Sequence, residues 1–356
     1  MPEPALLRIL DANANRAREA LRVLDDLARF ALDDGALTAE LKALRHATLG
    51  AVARAVPDAG RLLASRDTEG DVGTGLTTPT EFRRDSLAEI AERNAARLTE
   101  ALRSLEETLK ALGEPAAAGE IEQARYRAYT LHRTLALRLG CAARGQRTLC
   151  VLITESICTH HAWDAVARLA IEGGTDALQL REKHLSDRTV LARARTLVAL
   201  AREMNPAVQV WVNDRPHVAL LARAHGVHVG QNDLALPDVR AIVGLGMLVG
   251  VSTSCLDDAL RAADEGADCC GVGPMFPSTT KAKPSLSGPA YLRAYLAEPR
   301  TARIPHLAIS GIDAQRAAEL ARLGCRGVAV SSAVCSAPDP REAARQIAAA
   351  MHPTTP

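Results

Sequence analysis

Residues 176–183 read DALQLREK, and within this stretch apolar and polar side chains alternate. Leu178 and Leu180 would lie on one face of a β-strand, and Gln179, Arg181 and Lys183 would lie on the other. An arginine and a lysine that face a buried interior carry a desolvation cost unless an anion meets them. The stretch therefore predicts a strand whose polar face ends at an anion-binding site.

Short β-rich runs of the same kind recur along the rest of this half of the chain, and each is followed by a helix-compatible segment. Besides the run at 176–182, they lie at 149–154, 208–214, 226–230, 247–253, 269–274, 305–310 and 326–332. Strands that alternate with helices imply a parallel sheet. Eight such units in about 205 residues favour a closed (β/α)8 TIM barrel over an open, doubly wound sheet.

The first 138 residues have a different pattern, which is typical of amphipathic helices rich in alanine and leucine. The segment NRAREALRVLDDLARF (15–30) resembles NAARLTEALRSLEETLK (94–110), and the two are in register at an offset of 81 positions, with Arg16 matching Arg97 and Leu24 matching Leu105. The helical region therefore contains an internal duplication. We therefore predict an all-α domain followed by an α/β barrel. The predicted boundaries are 1–138 for the helical domain, 139–147 for a linker, 148–352 for the barrel and 353–356 for a tail.

The charge balance, the length of the apolar runs and the cysteine spacing limit the partners and the cellular location that we expect for the protein. The 43 basic and 42 acidic residues give a net charge of +1, which disfavours nucleic acid and anionic membranes as partners. The amino-terminal region lacks a secretory signal pattern, and no apolar run reaches the roughly 18 residues of a membrane span. The eight cysteines show no metal-type spacing, which fits reduced thiols. We expect a cytoplasmic protein.

Polar residues occur at the end of nearly every predicted strand, where barrel enzymes carry their chemistry. They are Gln179, Arg181, Glu182 and Lys183; Asn213 and Asp214; Gln231 and Asp233; Ser252; Lys281; Ser310 and Gly311; and Ser331 and Ser332. This pattern predicts a phosphate or diphosphate site. Asp214 and Asp233 are candidate Mg²⁺ ligands, although Asp233 could instead cap a helix. His228 lies inside a predicted strand and could be a core histidine.

Five of these segments, in this order, resemble the thiamine phosphate synthase family. They are QLREK (179–183), VND (212–214), GVHVGQND (226–233), GVS (250–252) and GPMFPSTTK (273–281), within a resemblance that spans about residues 147–350. The resemblance implies the condensation of hydroxymethylpyrimidine diphosphate with a thiazole phosphate, which yields thiamine phosphate and diphosphate. Mg²⁺ and basic residues would draw diphosphate from the pyrimidine methylene, and the thiazole nitrogen would trap the resulting cation.

The resemblance also implies roles for individual residues. The pyrimidine diphosphate would contact Gln179, Leu180, Arg181, Glu182, Lys183, Asn213, Ser252 and Lys281. The thiazole phosphate would contact Ser278, Thr279, Thr280, Gly311, Ser331 and Ser332, and Mg²⁺ would bind Asp214 and Asp233. The partners would be small phosphorylated heterocycles.

Three departures from the family pattern stand out: Ser278 replaces a frequent threonine, Ser310 replaces the first glycine of a frequent pair, and Ser254 replaces a frequent histidine. These changes bear on affinity more than on reaction type. Other interpretations remain open. The barrel could resemble a thiazole tautomerase, act as another phosphate-handling isomerase or aldolase, or bind a ligand without catalysis.

The helical region resembles a family associated with hydroxymethylpyrimidine phosphate kinase activity, through the stretches 11–30, 65–73 and 94–107. The resemblance implies ATP as a co-substrate and a bifunctional enzyme. Its candidate site residues are Asn13, Arg16, Arg66, Asp71, Asn94 and Arg97. The glycine-rich stretch EGDVGTGLTT (69–78) is not a Walker sequence, because no Gly-Lys-Ser/Thr follows. A non-catalytic oligomerisation or regulatory bundle, with the chain as a homo-oligomer, is the alternative.

Overall fold

The computed structural model describes residues 3–67, 84, 86–143, 145–278 and 285–352. The chain forms two compact units, Met1–Ala143 and Arg144–Pro356. In the described part of the chain, no helix is long and apolar enough to cross a membrane.

The first unit is built from helices around a core of leucine and alanine side chains. The helices are α1 (Glu3–Asp26), α2 (Gly35–Ala55), α3 (Ala59–Ala64), α4 (Leu87–Ala111) and α5 (Pro115–Ala142), and a π-helical turn at Leu27–Ala31 follows α1. Helix starts are fixed by side-chain caps, since Asp34 accepts from the N–H of Leu37 and Ser86 accepts from that of Glu89. The predicted all-α region is confirmed.

Helix α5 extends beyond the predicted start of the linker at residue 139. Leu135 and Leu139 lie one helical turn apart, and both are buried in the core of the helical unit. The helix ends only at Ala142, so the first four residues of the predicted linker are helical. The predicted tail, 353–356, lies outside the described residues.

The internal duplication comprises two helices in each copy, α1–α2 and α4–α5. Each first helix carries a buried acid that meets an arginine of the second helix: Asp25 with Arg45 at 3.4 Å, and Glu106 with Arg125 at 3.2 Å. These acids occupy matching positions of the repeat, as the sequence alignment of the two copies requires. A buried ion pair between the two helices is therefore a repeated feature of the fold.

The two buried acids differ in how fully they are paired, which predicts unequal mutational effects. Glu106 also meets Arg103 at 2.8 Å and Lys110 at 2.7 Å, whereas one oxygen of Asp25 has no hydrogen-bond partner among the residues that the structure describes. Burial raises the pKa of Glu106, but Lys110 and Arg103 outweigh burial and bring the pKa below its ordinary value. We expect Glu106→Gln to cost about 3 kcal/mol, because it removes the carboxylate that compensates the largely buried Arg125 and that also pairs with Arg103 and Lys110. Asp25→Asn should cost clearly less in urea unfolding of the full chain, and equal costs would contradict this account.

The second unit is a closed barrel of eight parallel strands in the order β1 to β8, so the predicted (β/α)8 fold is confirmed. The strands are β1 (Leu149–Ile153), β2 (Ala177–Leu180), β3 (Gln209–Asn213), β4 (Gly226–Val229), β5 (Leu248–Thr253), β6 (Cys269–Val272), β7 (His306–Ile309) and β8 (Val328–Val330). The helices are α6 (Trp163–Glu172), α7 (Asp187–Met204), α8 (Pro216–Ala222), α9 (Leu236–Val243), α10 (Leu256–Asp264), α11 (Gly288–Ala297), α12 (Pro299–Ala302), α13 (Ala314–Arg322), α14 (Ser332–Cys335) and α15 (Pro340–Ala350).

Large side chains fill the barrel interior because neighbouring strands carry glycine. A Cβ atom at Gly226 would lie 2.5 Å from the indole of Trp211, and one at Gly250 would lie 2.6 Å from Nδ1 of His228. The outward-facing valines, leucines and isoleucines of the strands pack against the helices. This division leaves the polar, inward-facing residues at the carboxyl ends of the strands.

Candidate active site

A cavity of about 770 Å³ lies at the carboxyl ends of the barrel strands. It brings together side chains from most of the strand ends that the sequence singles out. The site residues predicted from the sequence that line it are Gln179, Arg181, Lys183, Asn213, Asp214, Asp233, Ser252, Ser278, Gly311, Ser331 and Ser332. Gln231 and Ser310, which the strand-end pattern also marks, line the same cavity.

Two residues of the predicted set have side chains elsewhere. Leu180 is fully buried in the core of the barrel unit, and Glu182 accepts hydrogen bonds from Arg193 Nη1 at 2.8 Å and from the N–H of Glu155 at 2.9 Å. They occupy alternate positions of the QLREK stretch, so their side chains point away from the cavity. Thr279, Thr280 and Lys281 lie outside the described residues, as does Asp71 of the helical unit.

Opposite charges meet where β2 and β3 end. Lys183 Nζ lies 3.0 Å from Asp214 Oδ2. Asp214 has a left-handed backbone with φ of 61°, a conformation that aspartate and asparagine tolerate better than most residues. The chain turns at Asp214 as it leaves β3, and the Asp214 side chain lines the cavity. The carboxylate therefore lies at the end of the strand, as predicted.

Asp233 does not cap the following helix. Its Oδ2 accepts from the N–H of Gly230 at 2.8 Å, whereas α9 begins only at Leu236, with Ala235 at the cap position. The carboxylate is thereby fixed within the turn after β4. Asp233 lines the cavity, as the strand-end pattern predicts. The interpretation of Asp233 as a helix cap is wrong.

The two carboxylates suit a divalent cation. Burial raises the pKa of Asp233, and the neighbouring Asp214 raises it further because like charges oppose ionisation of both groups. A hard cation would relieve that repulsion. Among the described residues no group of three or more His, Cys, Asp and Glu side chains could hold a metal ion, so most ligands would have to be water or substrate oxygens. One or two carboxylates with substrate phosphates are the usual Mg²⁺ arrangement.

His228 lines the cavity, although no role was predicted for it from the sequence. Its Nε2 lies 2.9 Å from Ser252 Oγ, and Gly250 and Gly271 on the next strands leave room for the ring. Burial lowers the pKa of His228 to about 4, so the imidazole is neutral at physiological pH. The sequence pattern could have identified His228 as a cavity residue, because it alternates with Val227 and Val229 and therefore faces inward.

Arg316 is a second cavity residue that the sequence did not reveal. It lies in the first turn of α13, with its guanidinium 4.9 Å from the ring centroid of Phe276. Its Nη1 donates a hydrogen bond to the carbonyl oxygen of Gly311. Arg316 thus joins the turn after β7 to the segment after β6.

The segments after β6 and β7 pack backbone against backbone. Gly311 has a φ of 65°, and a Cβ there would lie 2.3 Å from the carbonyl oxygen of Pro277. Ser310 has a φ of 82°, and its hydroxyl donates to the carbonyl oxygen of Phe276 at 2.9 Å. Glycine at 311 is therefore required by the approach of the 276–277 backbone, in addition to any ligand.

Acid should destabilise the barrel unit through two histidines whose surroundings disfavour their charged form, His228 on the inner face of β4 and His306 packed against Tyr295 of α11. The pKa of His228 and that of His306 are each lowered to about 4, mainly by burial, from an ordinary value of about 6.5. The unfolded chain takes up these protons first as pH falls, so their contribution to stability is full above pH 6.5 and declines toward pH 4. The free energy of unfolding in urea should fall between pH 7 and pH 5, and less so in His228→Asn. If the free energy of unfolding of His228→Asn fell with pH as much as that of the wild type, this would contradict the contribution assigned to His228.

A (β/α)8 barrel whose strand ends gather basic side chains and paired carboxylates around one cavity defines a phosphate-handling barrel enzyme. A model of thiamine monophosphate synthase matches residues 149–334, and a model of the ThiD2 family matches residues 8–134. The chain belongs to the thiamine monophosphate synthase family. It is a transferase of thiamine biosynthesis with a kinase-like helical unit at its amino terminus.

Relatives resemble the chain over nearly its whole length. A thiamine-phosphate synthase of Rhodopirellula baltica is 38% identical over 336 residues, which cover 92% of this chain and 88% of that protein. Another from Thermosynechococcus vestitus is 38% identical over 342 residues, with 96% and 94% covered. Among solved structures, a thiamine phosphate pyrophosphorylase from Pyrococcus furiosus aligns with a TM-score of 0.53 at 31% identity, covering 59% of this chain and 98% of that one.

Proposed function

We propose that the barrel condenses hydroxymethylpyrimidine diphosphate with thiazole phosphate and releases diphosphate. The observation that carries the proposal is the arrangement at the ends of β2, β3 and β4, where Arg181, Lys183, Asp214 and Asp233 line one cavity. Basic side chains together with two carboxylates suit a diphosphate and its bound divalent cation. A single phosphate would need fewer charged side chains.

The chemistry follows from where charge develops. As the bond from the pyrimidine methylene carbon to the diphosphate oxygen breaks, negative charge grows on the diphosphate, and Arg181 and Lys183 would stabilise it in place. Mg²⁺, when held by Asp214 and Asp233, would supply further positive charge to the diphosphate oxygens. Lys281, on the loop after β6, would add a cation by its match to the family motif.

The pyrimidine ring would lie deeper in the barrel, against Gln179 and the Ser252–His228 pair. Gln179 is 7% exposed and lies on the inner face of β2, with its amide lining the cavity. A neutral imidazole bonded to Ser252 orients that hydroxyl without adding a positive charge near the carbocation. These groups offer the donors and acceptors that an aminopyrimidine requires.

The thiazole phosphate would bind at the ends of β7 and β8. Gly311, Ser331 and Ser332 line that side of the cavity together with Ser278. Ser331 Oγ donates to the carbonyl oxygen of Leu152 at 3.0 Å, which fixes the turn into α14. The thiazole nitrogen would then face the methylene carbon and form the new carbon–nitrogen bond as diphosphate leaves.

For the helical unit we propose phosphorylation of hydroxymethylpyrimidine phosphate by ATP, supported by the family match over residues 8–134. Asn13 and Asn94 make the same bond in the two copies, each donating to the carbonyl oxygen four residues earlier, at 2.9 and 2.8 Å. Arg16 and Arg97 remain exposed beside them. Arg66 is held by Asp11 through two hydrogen bonds, at 2.8 and 2.9 Å.

One assay with the full chain separates the two activities. Hydroxymethylpyrimidine phosphate, ATP, Mg²⁺ and thiazole phosphate should yield thiamine phosphate, and Asp214→Asn should instead accumulate hydroxymethylpyrimidine diphosphate. Supplying the diphosphate directly should make thiamine phosphate formation independent of ATP in the wild type. No product from the supplied diphosphate would refute the synthase proposal. Product from the diphosphate but none from the monophosphate would refute the kinase proposal alone.

A further inference from the structure

Arg316 carries charge into the cavity that none of the described carboxylates balances. Lys183 is paired with Asp214 at 3.0 Å. Arg181 and Arg316 also line the cavity, and neither forms an ion pair within the described part of the chain. A guanidinium in such a place is ready to meet an anion brought by a ligand.

The two arginines come from different sectors of the barrel. Arg181 follows β2 and Arg316 follows β7, with β8 and β1 between those strands. One anion at the end of β2 would be the diphosphate of the proposed function. The second arginine therefore calls for a second anionic group, beside the turn after β7.

Contacts on two sides hold the Arg316 guanidinium in that place. The ring of Phe276 lies beneath it, with the guanidinium carbon 4.9 Å from the ring centroid, and Gly311 accepts one of its hydrogen bonds. A guanidinium has five N–H donors, so this single bond leaves others for a phosphate. Stacking also lowers the entropy lost on binding, because the plane is already oriented.

Resting on the proposed function, we propose that Arg316 binds the phosphate of thiazole phosphate and makes the barrel select the phosphate ester over the unphosphorylated thiazole alcohol. The phosphate would meet Arg316 on one side and the turn at Ser331 and Ser332 on the other, since all three residues line the same cavity. Selection follows because the alcohol leaves the guanidinium without its anion.

The test compares Arg316→Gln with wild type, using thiazole phosphate and the thiazole alcohol as probes in calorimetry and turnover. Gln keeps a donor for the carbonyl of Gly311 but removes the charge. We expect the Kd and KM for thiazole phosphate to rise about tenfold or more, as loss of a charged hydrogen bond implies. Binding of the alcohol and KM for the pyrimidine diphosphate should change less than about twofold, because neither meets Arg316. Arg316→Lys should recover part of the loss.

Phe276→Leu is the matched control for a purely structural role, since it removes the stacked ring and keeps the charge. Equal weakening of ester and alcohol by Arg316→Gln would show that the residue only supports the segment after β6, and would overturn the proposal. So would an unchanged Kd for thiazole phosphate. Tight, Arg316-dependent binding of the ester without any condensation would instead count against the proposed function alone.

Discussion

Asp214→Asn should lower kcat/KM for thiamine phosphate formation by about 100-fold or more, the scale expected when a preorganised electrostatic group is lost. Asparagine keeps the left-handed backbone at φ of 61°, so the fold should survive. The variant loses one of the two carboxylates proposed to bind Mg²⁺. It also loses the ion pair with Lys183, whose Nζ lies 3.0 Å from Asp214 Oδ2. Initial rates across a Mg²⁺ titration measure the effect, and a higher Mg²⁺ requirement should accompany it.

Asp313→Asn is the matched control, because Asp313 also lines the cavity but lies after β7. Its Oδ1 caps α13 by accepting from the N–H of Arg316 at 2.9 Å, and asparagine caps helices equally well. We expect this control to change kcat/KM less than about threefold, as for a charge remote from the leaving group. Asp214→Asn with wild-type turnover would remove the metal assignment.

Gly311→Ala should lower stability by about 2–3 kcal/mol, which combines left-handed backbone strain with a steric clash. The new Cβ would lie 2.3 Å from the carbonyl oxygen of Pro277, so the segment after β6 would have to move. Because that segment carries Ser278 and the Phe276 ring under Arg316, KM for thiazole phosphate should rise about tenfold. Thermal or urea unfolding and substrate kinetics measure both effects.

Gly288→Ala separates the two causes. Gly288 has nearly the same φ, 64°, but a Cβ there would meet no atom of the described residues within 4 Å. The control should therefore show only the backbone strain, about 1 kcal/mol, with unchanged KM. Equal destabilisation of both variants would mean that contact with Pro277 contributes nothing.

The sequence was sufficient for the barrel and for much of the cavity because period and position are local properties. Eight short apolar runs separated by helical segments define the eight strands, and their ends carry the polar residues. The same alternation that turns Arg181 and Lys183 inward turns Leu180 and Glu182 outward. The prediction placed all five residues of the QLREK stretch in the site, although a strand presents only every second side chain to one face.

The remaining features depend on contacts between distant segments. His228 is accommodated by Gly250 and Gly271 on other strands, and Arg316 is positioned by Phe276 from the segment after β6. Nothing in the residues next to His228 or Arg316 indicates those neighbours. The role of Asp233 was also undecided locally, because only the turn geometry shows that it bonds Gly230.

The most direct test of the central claim is a crystal structure of the full chain with thiamine phosphate, diphosphate and Mg²⁺. The account predicts diphosphate at the ends of β2 and β3, contacting Arg181 and Lys183, with Mg²⁺ between it and the carboxylates of Asp214 and Asp233. The phosphate of the product should contact Arg316. Diphosphate bound outside this cavity, or Mg²⁺ that touches neither aspartate, would contradict it.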